Sequence, residues 1–206
     1  LFFFIGISNL DLTNHISNQN FTLYDKLESA FFYATSFVTT TGFTQSNYLD
    51  WNNSSLIIIF ILLFLGGCAG STTGGIKLIR TLLIFKYLKS TIKKIIHPNG
   101  VYPIRIGNKE VSTDIIQSVL GFYFIYIFIF ILLSLIISLT SNTDLVSSLA
   151  VSASTIGNIG PGLGVIGPLG NWSDFTDLTK WILSFCMLLG RLEIFTVIIL
   201  FSKTYW

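Results

Sequence analysis

The chain has 206 residues, of which 51% are hydrophobic and only 11% charged, and its mean hydropathy is +0.72. Soluble domains carry about 25% charged residues, so this composition excludes an ordinary soluble domain and favours a membrane protein. The formal net charge of +2 says little by itself, whereas the distribution of charge along the chain indicates which segments face the cytoplasm.

Two short elements are predicted near the start of the chain. Residues 1–10 are already apolar and predict the tail of a helix, and we expect a missing N-terminal part because the chain starts with Leu. No basic region or cleavage site indicates a signal peptide. Residues 24–38 form a short amphipathic segment, and the sequence TTTGFT at 39–44 predicts a turn. A helix of about 13 residues spans only about 20 Å, too short for a hydrocarbon core of about 30 Å.

An apolar run at 56–84 is interrupted in its middle by the sequence GGCAGSTTGG at 66–75. In hydrocarbon, irregular backbone is tolerated only where protein buries it or where it lines a watery cavity. The break therefore indicates a permeation or binding path. A phosphate-binding loop has Lys directly after its last glycine, but Ile76 follows Gly75, so nucleotide binding is not predicted.

Basic residues cluster after this break, with no acidic residue among them. The positive-inside tendency places the cluster on the cytoplasmic side, so the acidic connections face outward, where they would concentrate cations near an entrance. The basic stretch at 86–94 has helical spacing and favours contact with anionic lipid headgroups of the inner leaflet. Eight of the twelve basic residues belong to the cluster: Lys77, Arg80, Lys86, Lys89, Lys93, Lys94, Arg105 and Lys109.

Residues 119–139 form the one long uninterrupted apolar span, which exceeds the roughly 18 residues that indicate a transmembrane helix. A short segment of small residues at 143–155 and a glycine-rich turn at 156–162 follow it. The last span, 180–201, carries two charged residues near its middle.

These two charged residues are Arg191 and Glu193. A charge at the membrane centre costs about 2.5 kcal/mol or more and usually faces a polar interior. Residues two apart on a helix do not face each other, so the two side chains form a poor local pair. We expect Arg191 to face a pore or the break at 66–75, and Glu193 to need another partner. Cys68 and Cys186 lie in apolar segments and are expected to be small apolar fillers, with no disulfide or metal site.

The order of elements repeats along the chain. Each unit has an apolar helix, a short helix, a glycine turn, a polar outward stretch and a long helix, and the turn glycines Gly42 and Gly160 are 118 positions apart. Short helices followed by glycine turns predict re-entrant hairpins whose backbone carbonyls face one axis and replace the water shell of an ion. The predicted fold is an all-α membrane protein of helix–re-entrant pore hairpin–helix repeats. Plain outward loops are the alternative for either turn alone.

Five motifs then occur in one order: TTTGFT (39–44), GGCAGSTTGGIKLIR (66–80), HPN (97–99), GNIGPGLG (157–164) and GRLEIFT (190–196). With this set the chain resembles the Trk/Ktr/HKT potassium-uptake family, most closely its bacterial membrane subunit. Members of that family have four helix–hairpin–helix repeats around one pore. This chain is similar to the third and fourth repeats over essentially its whole length.

The resemblance implies roles for individual residues. It implies a potassium-binding filter in which backbone carbonyls line the ion path, formed by Thr40, Thr41, Gly42, Asn158, Ile159 and Gly160. It also implies a gate beneath the filter, formed by Arg191 and by Gly66, Gly67, Gly70, Ser71, Thr72, Thr73, Gly74 and Gly75.

Two departures from the family pattern leave points open. The family loop often reads STGGG, and Thr73 stands in place of a glycine, which bears on loop flexibility. The second turn shares only its glycine with the first, so strict selectivity for potassium over sodium is not implied.

The resemblance also implies an organisation and partners. A third pore repeat covers 1–96, with a truncated first helix, a pore hairpin at about 24–44 and a broken helix at about 53–96; a cytoplasmic connection covers 97–110 and a fourth pore repeat 111–206. The implied function is potassium uptake by a multi-pass protein of the bacterial plasma (inner) membrane, with no enzymatic activity, no catalytic residue and no cofactor besides the potassium ion as substrate. The implied partners are membrane lipid, the other pore repeats of the same protein, a second copy in a homodimer and a cytosolic nucleotide-binding regulatory subunit, which could also dock on 86–94; no nucleic acid is expected.

Three other functions compete with this interpretation. A two-repeat potassium channel subunit would complete its pore by dimerisation, but such channels open by bending whole helices, which the break at 66–75 disfavours. A membrane enzyme or redox carrier needs His, Cys or carboxylate clusters within the spans, and Arg191 with Glu193 does not form such a cluster. A structural subunit with a vestigial pore differs from the main prediction only in ion flux. The coupling of transport, whether passive, proton-linked or sodium-linked, stays open.

Overall fold

The computed structural model describes residues 23–200, and the helix tail predicted over 1–10 lies outside them. The described part is mainly helical, with one two-stranded hairpin made of β1 (Arg105–Ile106) and β2 (Lys109–Glu110) and with short 3-10 turns at Tyr48–Asp50, Gly164–Ile166 and Trp172–Asp174. Its α-helices are α1 (Leu23–Val38), α2 (Asn53–Leu62), α3 (Leu78–Ile96), α4 (Thr113–Ser141), α5 (Leu145–Gly157), α6 (Asp177–Arg191) and α7 (Ile194–Leu200).

The long helix α4 has 29 residues and is therefore about 44 Å long. Within residues 23–200 it is the one helix that is long and apolar enough to cross a membrane, which confirms the uninterrupted span predicted at 119–139. Phe122, Tyr126, Leu133 and Ile137 form a stripe that is buried against the other helices. The opposite face is apolar and exposed, as is expected of a helix that meets lipid.

Both of the other predicted spans are interrupted. The run at 56–84 folds as α2 and α3, separated by residues 63–77. The last span is also broken, because α6 ends at Arg191 and α7 begins at Ile194, with Glu193 between them in a left-handed conformation at φ +60°. The prediction that Arg191 lies in the middle of a continuous helix is therefore wrong. The reason is a backbone turn at Glu193, which apolar composition alone does not signal.

Helix α1 buries one face and supports the chain that returns from it. Ala30, Tyr33, Ala34 and Phe37 recur at helical spacing and are at most 1% exposed, which is the pattern of an amphipathic helix on a core. The Tyr33 hydroxyl donates to the Ser46 carbonyl at 2.6 Å and accepts from the Ser46 amide at 2.6 Å. The segment after the first glycine turn is thereby anchored to α1.

Helix α5 lies at the centre of the fold. Its residues 150–157 are all buried. Most of their side chains are small, which lets α4 and α6 pack closely against α5. Asp144 caps its N-terminus by accepting a hydrogen bond from the Ser147 amide at 3.3 Å, and hydrogen bonding from Ser147 lowers the pKa of the Asp144 carboxyl. The helix ends at Asn158, in a left-handed conformation at φ +55°. The second glycine turn therefore starts from a rigid, buried base.

The connection at 97–110 packs along α3. It contains the β1–β2 hairpin, in which Arg105 pairs with Glu110 and Ile106 with Lys109. The Ser90 hydroxyl donates to the Tyr102 carbonyl at 2.8 Å, and the Lys86 ammonium donates to the Arg105 carbonyl at 2.6 Å. Basic side chains of α3 thus line a groove against this connection.

Candidate functional site

The turn after α1 is organised by a buried serine, Ser36. Its carbonyl accepts hydrogen bonds from the amides of Thr41 at 3.0 Å and Gly42 at 3.4 Å, and its hydroxyl donates to the Phe43 carbonyl at 2.8 Å. Thr40 and Gly42 have positive φ angles of 53° and 74°. The amides of the turn therefore point back at the helix end.

The turn after α5 repeats these features at positions 118 residues later. The Ser154 carbonyl accepts from the Ile159 amide at 3.1 Å, and the Ser154 hydroxyl donates to the Pro161 carbonyl at 3.0 Å. Asn158 and Gly160 have positive φ angles of 55° and 107°. Each feature has its counterpart in the first turn, since Ser36, Thr40 and Gly42 correspond to Ser154, Asn158 and Gly160.

The two turns lie against each other. A Cβ built on Gly42 would overlap the Ile159 carbonyl oxygen and lie 2.9 Å from Pro161 Cδ. Tyr48, which follows the first turn, donates its hydroxyl to the Gly162 carbonyl, which follows the second, at 2.5 Å. The chain therefore brings the predicted turn residues of both units to one place, although more than one hundred residues separate them in sequence.

Carbonyl oxygens are left unpaired where the turns meet. Within residues 23–200, the carbonyls of Thr40, Thr41 and Gly42 accept no hydrogen bond, and neither do those of Asn158 and Ile159. The Gly160 carbonyl differs, because it accepts from the Ser154 hydroxyl at 2.9 Å. Of these five residues, Ile159 is buried, Thr41 is exposed and the others are half-buried. Main-chain carbonyl oxygens are the ligands that hold dehydrated alkali cations in selective channels.

The glycine-rich break forms a closed loop between α2 and α3. The Gly66 amide donates to the Ile76 carbonyl at 2.8 Å, and the Ile76 amide donates to the Phe64 carbonyl at 3.0 Å. The Leu78 amide donates to the Gly67 carbonyl at 3.1 Å, which ties the start of α3 to the start of the loop. These hydrogen bonds join the chain before residues 66–75 to the chain after them, so the segment forms a closed loop.

The side chains of Thr73 and Lys77 make hydrogen bonds that stabilise this loop. The Thr73 hydroxyl accepts from the Gly67 amide at 2.8 Å and from the Ser71 hydroxyl at 3.2 Å. The ammonium of Lys77, which is only 7% exposed, donates to the Thr73 carbonyl at 2.9 Å and also to the Ser71 carbonyl. The threonine that departs from the family loop therefore adds hydrogen bonds across it.

The loop packs on the end of α5, where the second turn begins. A Cβ on Gly74 would overlap the Gly157 carbonyl oxygen and lie 2.9 Å from Asn158 Cβ. On another side, Gly190 of α6 leaves no room for a Cβ beside the Ile156 carbonyl oxygen. The Asn158 amide group donates to the Met187 carbonyl at 2.8 Å. The loop, the α5 end and α6 are therefore in close backbone contact.

The two charged residues of the last span have different surroundings. Arg191 is exposed, and within residues 23–200 it makes no hydrogen bond or ion pair to the loop. Glu193 pairs with Arg80, with 2.7 Å between Arg80 Nη2 and Glu193 Oε2. This answers the expectation that Glu193 needs a partner other than Arg191.

Sequence reasoning missed three polar residues of the site. Ser36 and Ser154 could have been found by aligning the two units at their 118-residue offset. Lys77 belongs to the basic cluster predicted to face the cytoplasm, although it lies only two positions after the loop to which it bonds. Cys68 is exposed rather than a buried filler, whereas Cys186 is buried as expected. Among the residues that the structure describes, no three His, Cys, Asp or Glu side chains group into a metal site.

Comparisons with known proteins agree with one another. A sequence model of the family described as TrkH, cation transport protein, matches residues 10–205. The Trk system potassium uptake protein TrkH of Salmonella typhimurium is 41% identical over 180 residues, which are 87% of this chain and 37% of that protein. The Trk system potassium uptake protein TrkI of Halomonas elongata is 36% identical over 198 residues, 96% of this chain and 40% of that protein.

A solved structure has the same fold. The crystal structure of the potassium transporter TrkH from Vibrio parahaemolyticus aligns with a TM-score of 0.87 and 35% identity, covering all of this chain and 42% of that one. The chain therefore spans about two fifths of the length of the relatives that it matches.

Proposed function

Because the chain belongs to the family of TrkH cation transport proteins, we propose that it forms part of a potassium uptake pathway across the bacterial plasma membrane. The curated relatives are named as potassium uptake proteins, and this chain corresponds to about two fifths of such a protein. Transport of this kind needs no covalent chemistry, so no catalytic residue or resident cofactor is assigned, and potassium is the cargo.

The chain contributes two of four pore units in this proposal. The third unit covers 1–96, a cytoplasmic connection covers 97–110, and the fourth unit covers 111–206. The equivalence of Ser36 with Ser154, and of Gly42 with Gly160, supports two units of one design. Each short helix enters the membrane and each glycine turn leads the chain back out, and the other two units come from the rest of the same protein.

The filter is formed by main-chain oxygens at the two turns. Thr40, Thr41 and Gly42 supply it from the third unit, and Asn158, Ile159 and Gly160 from the fourth. The single observation that carries this proposal is the meeting of the two turns at Gly42 and Ile159, in which five carbonyls accept no hydrogen bond from residues 23–200. A potassium ion would exchange its water shell for these oxygens.

The loop at 66–75 and Arg191 form the gate beneath the filter. The loop lies against the α5 end from which the second turn starts, so a cation leaving the filter meets it next. Its closed hydrogen-bonded form obstructs the path, and movement of the loop opens it. Arg191, at the end of α6, adds a positive charge that opposes a cation.

Partners follow from the same assignment. The relatives belong by name to Trk systems, which supports a cytosolic regulatory subunit that binds nucleotide, and a second copy completes a homodimer. The groove of Lys86, Lys89, Lys93 and Arg105 along α3 offers a basic surface to that subunit or to anionic lipid.

The function is tested by growth at low potassium. The complete protein should restore growth of a bacterium that lacks its own potassium uptake, and rubidium uptake should be saturable in the same cells. Growth that stays dependent on high potassium, despite normal membrane expression, would contradict the proposal.

Removing the Arg191 charge should raise ion flux. Arg191→Ala deletes a positive charge near the path and lowers the electrostatic barrier to a cation, so rubidium efflux from vesicles should increase. Arg191→Lys keeps the charge and should behave like the unmodified protein. Equal efflux from all three proteins would remove Arg191 from the gate.

Ser154→Ala should weaken selectivity without removing the protein from the membrane. The Ser154 hydroxyl accepts from the Gly160 amide at 3.1 Å and shares its one proton between the Gly160 and Pro161 carbonyls. A hydrogen bond of this kind contributes about 0.5–1.5 kcal/mol. Sodium should then inhibit rubidium uptake at lower concentration.

Ser152→Ala is the matched control for this change. Ser152 is equally buried on α5, but among the described residues its hydroxyl bonds only the Leu149 carbonyl of its own helix, at 3.1 Å. Its variant should keep the original sodium inhibition. The same loss of selectivity in both variants would mean that helix α5, and not the turn, is being disturbed.

A further inference from the structure

The ion pair between Arg80 and Glu193 joins the two broken spans. Arg80 lies in the first turn of α3, three residues after the loop-bracing Lys77. Glu193 is the left-handed residue that separates α6 from α7. Their side chains meet at 2.7 Å although 113 positions separate them in sequence. The contact therefore connects the start of α3, which follows the loop, to the break between α6 and α7.

The Arg80 guanidinium is held on more than one side. Its Cζ lies 4.1 Å from the centre of the Phe122 ring of α4, a distance at which a cation is attracted to the ring face. Phe122 in turn packs edge-on against Phe195 of α7, with ring centres 5.8 Å apart. The Arg80 side chain is only 19% exposed. One side chain thus bridges α3, α4 and the junction of α6 with α7.

Among the described residues, the Arg80 guanidinium has one hydrogen-bond partner, the Glu193 carboxylate. Arg80 Nη1 is buried and has no hydrogen-bond partner among the described residues. The Arg80 side chain is partly buried, whereas the Glu193 side chain is 42% exposed and water can solvate it when the pair opens. Separation therefore costs mainly the Arg80 guanidinium, which would lose the carboxylate that it bonds.

We propose that the Arg80–Glu193 pair is a latch that holds the start of α3 against the break in the last span and thereby keeps the loop at 66–75 in its closed position. The connection is short, because the Leu78 amide bonds the Gly67 carbonyl at 3.1 Å and Arg80 follows in the same helical turn. This inference rests on the proposed function only in identifying the loop as the gate. Both residues are positioning residues, since neither touches the ion path.

Hydrogen–deuterium exchange in the complete protein tests the latch directly. The amides of Gly66, Ile76 and Leu78 close the loop, so peptides covering 64–78 report whether it is closed. Arg80→Gln and Glu193→Gln should each speed exchange in these peptides by about fivefold or more, the lower end of typical coupling between sites. Exchange in the buried helix at 145–157 should not change, which separates loop release from general unfolding.

Double variants decide whether the two residues act as one unit. Arg80→Gln with Glu193→Gln should exchange no faster than either single variant, because the latch is already lost. The swap Arg80→Glu with Glu193→Arg should recover part of the original rate. Glu110→Gln is the matched control, since Glu110 pairs with Arg105 at 2.5 Å in the exposed hairpin, and it should leave the loop peptides unchanged.

Two results would overturn the latch: single variants with unchanged loop exchange, or effects of the two that simply add. Rubidium efflux from the same preparations separates the latch from the proposed function. Faster loop exchange with unchanged efflux would sustain the latch and would contradict the loop's role as the gate. Faster exchange together with faster efflux would support both.

Discussion

Replacing Gly42 with serine should lower potassium uptake strongly. Gly42 has φ +74°, a conformation that costs a residue with a side chain roughly 1–2 kcal/mol. A Cβ at this position would also overlap the Ile159 carbonyl oxygen of the neighbouring turn. The two turns would have to move apart, which displaces oxygens that the account assigns to the ion. Rubidium uptake should therefore fall by at least about tenfold, the effect of 1.4 kcal/mol.

Gly107→Ser separates the contribution of backbone strain from that of the neighbouring turn. Gly107 lies in the β1–β2 hairpin at φ +59°, and a Cβ there would meet nothing within 4 Å. This variant carries a similar conformational cost but should transport rubidium normally. Normal uptake by the Gly42→Ser protein, at the same level in the membrane, would mean that the contact with Ile159 is not part of the ion path.

Lys77→Met should open the loop and raise rubidium efflux. The buried ammonium donates to two loop carbonyls, those of Ser71 and Thr73. A hydrogen bond to a charged group is worth about 1.5–3 kcal/mol, so losing one such contact shifts the balance between closed and open loop by about tenfold or more. Methionine keeps the length of the side chain and removes both its charge and its donors. Efflux from vesicles measures the result.

Two companion variants sharpen this prediction. Thr73→Gly removes the hydroxyl that bonds the Gly67 amide and should raise efflux in the same direction but less, because the lost contacts are uncharged. Lys94→Met removes an exposed lysine from the last turn of α3 and should have no effect. Unchanged or slower efflux from a folded Lys77→Met protein would show that the closed loop is not the barrier to flow.

Local composition is sufficient to predict most of the helices. The long apolar span before Leu139, the short helix before Gly160 and the interruption after Leu65 all follow from hydropathy and from the distribution of glycine. Such features depend on neighbouring residues, so a single sequence contains them. A shared axis predicts that the two turns lie close together, and Gly42 is in backbone contact with Ile159; the axis itself stays a prediction.

Contacts between distant residues could not be predicted from composition. The break at Glu193 lies in a run with the hydropathy of a continuous helix, and only its pairing with Arg80 at 2.7 Å makes the position distinctive. Lys77 belongs to the same basic cluster as the exposed lysines of α3, yet it is buried and donates to two loop carbonyls. Charge alone does not distinguish these environments, since they depend on backbone folded from elsewhere.

The location of a bound cation tests the account most directly. Rubidium has an anomalous X-ray signal that potassium and water do not share at its absorption edge, so crystals of the complete protein grown in rubidium would locate the ion without assumptions about the chain. We expect an anomalous peak between the turns that contain Gly42 and Gly160, facing the carbonyls of Thr41 and Ile159. A well-ordered map with rubidium bound elsewhere and none between these two turns would contradict it.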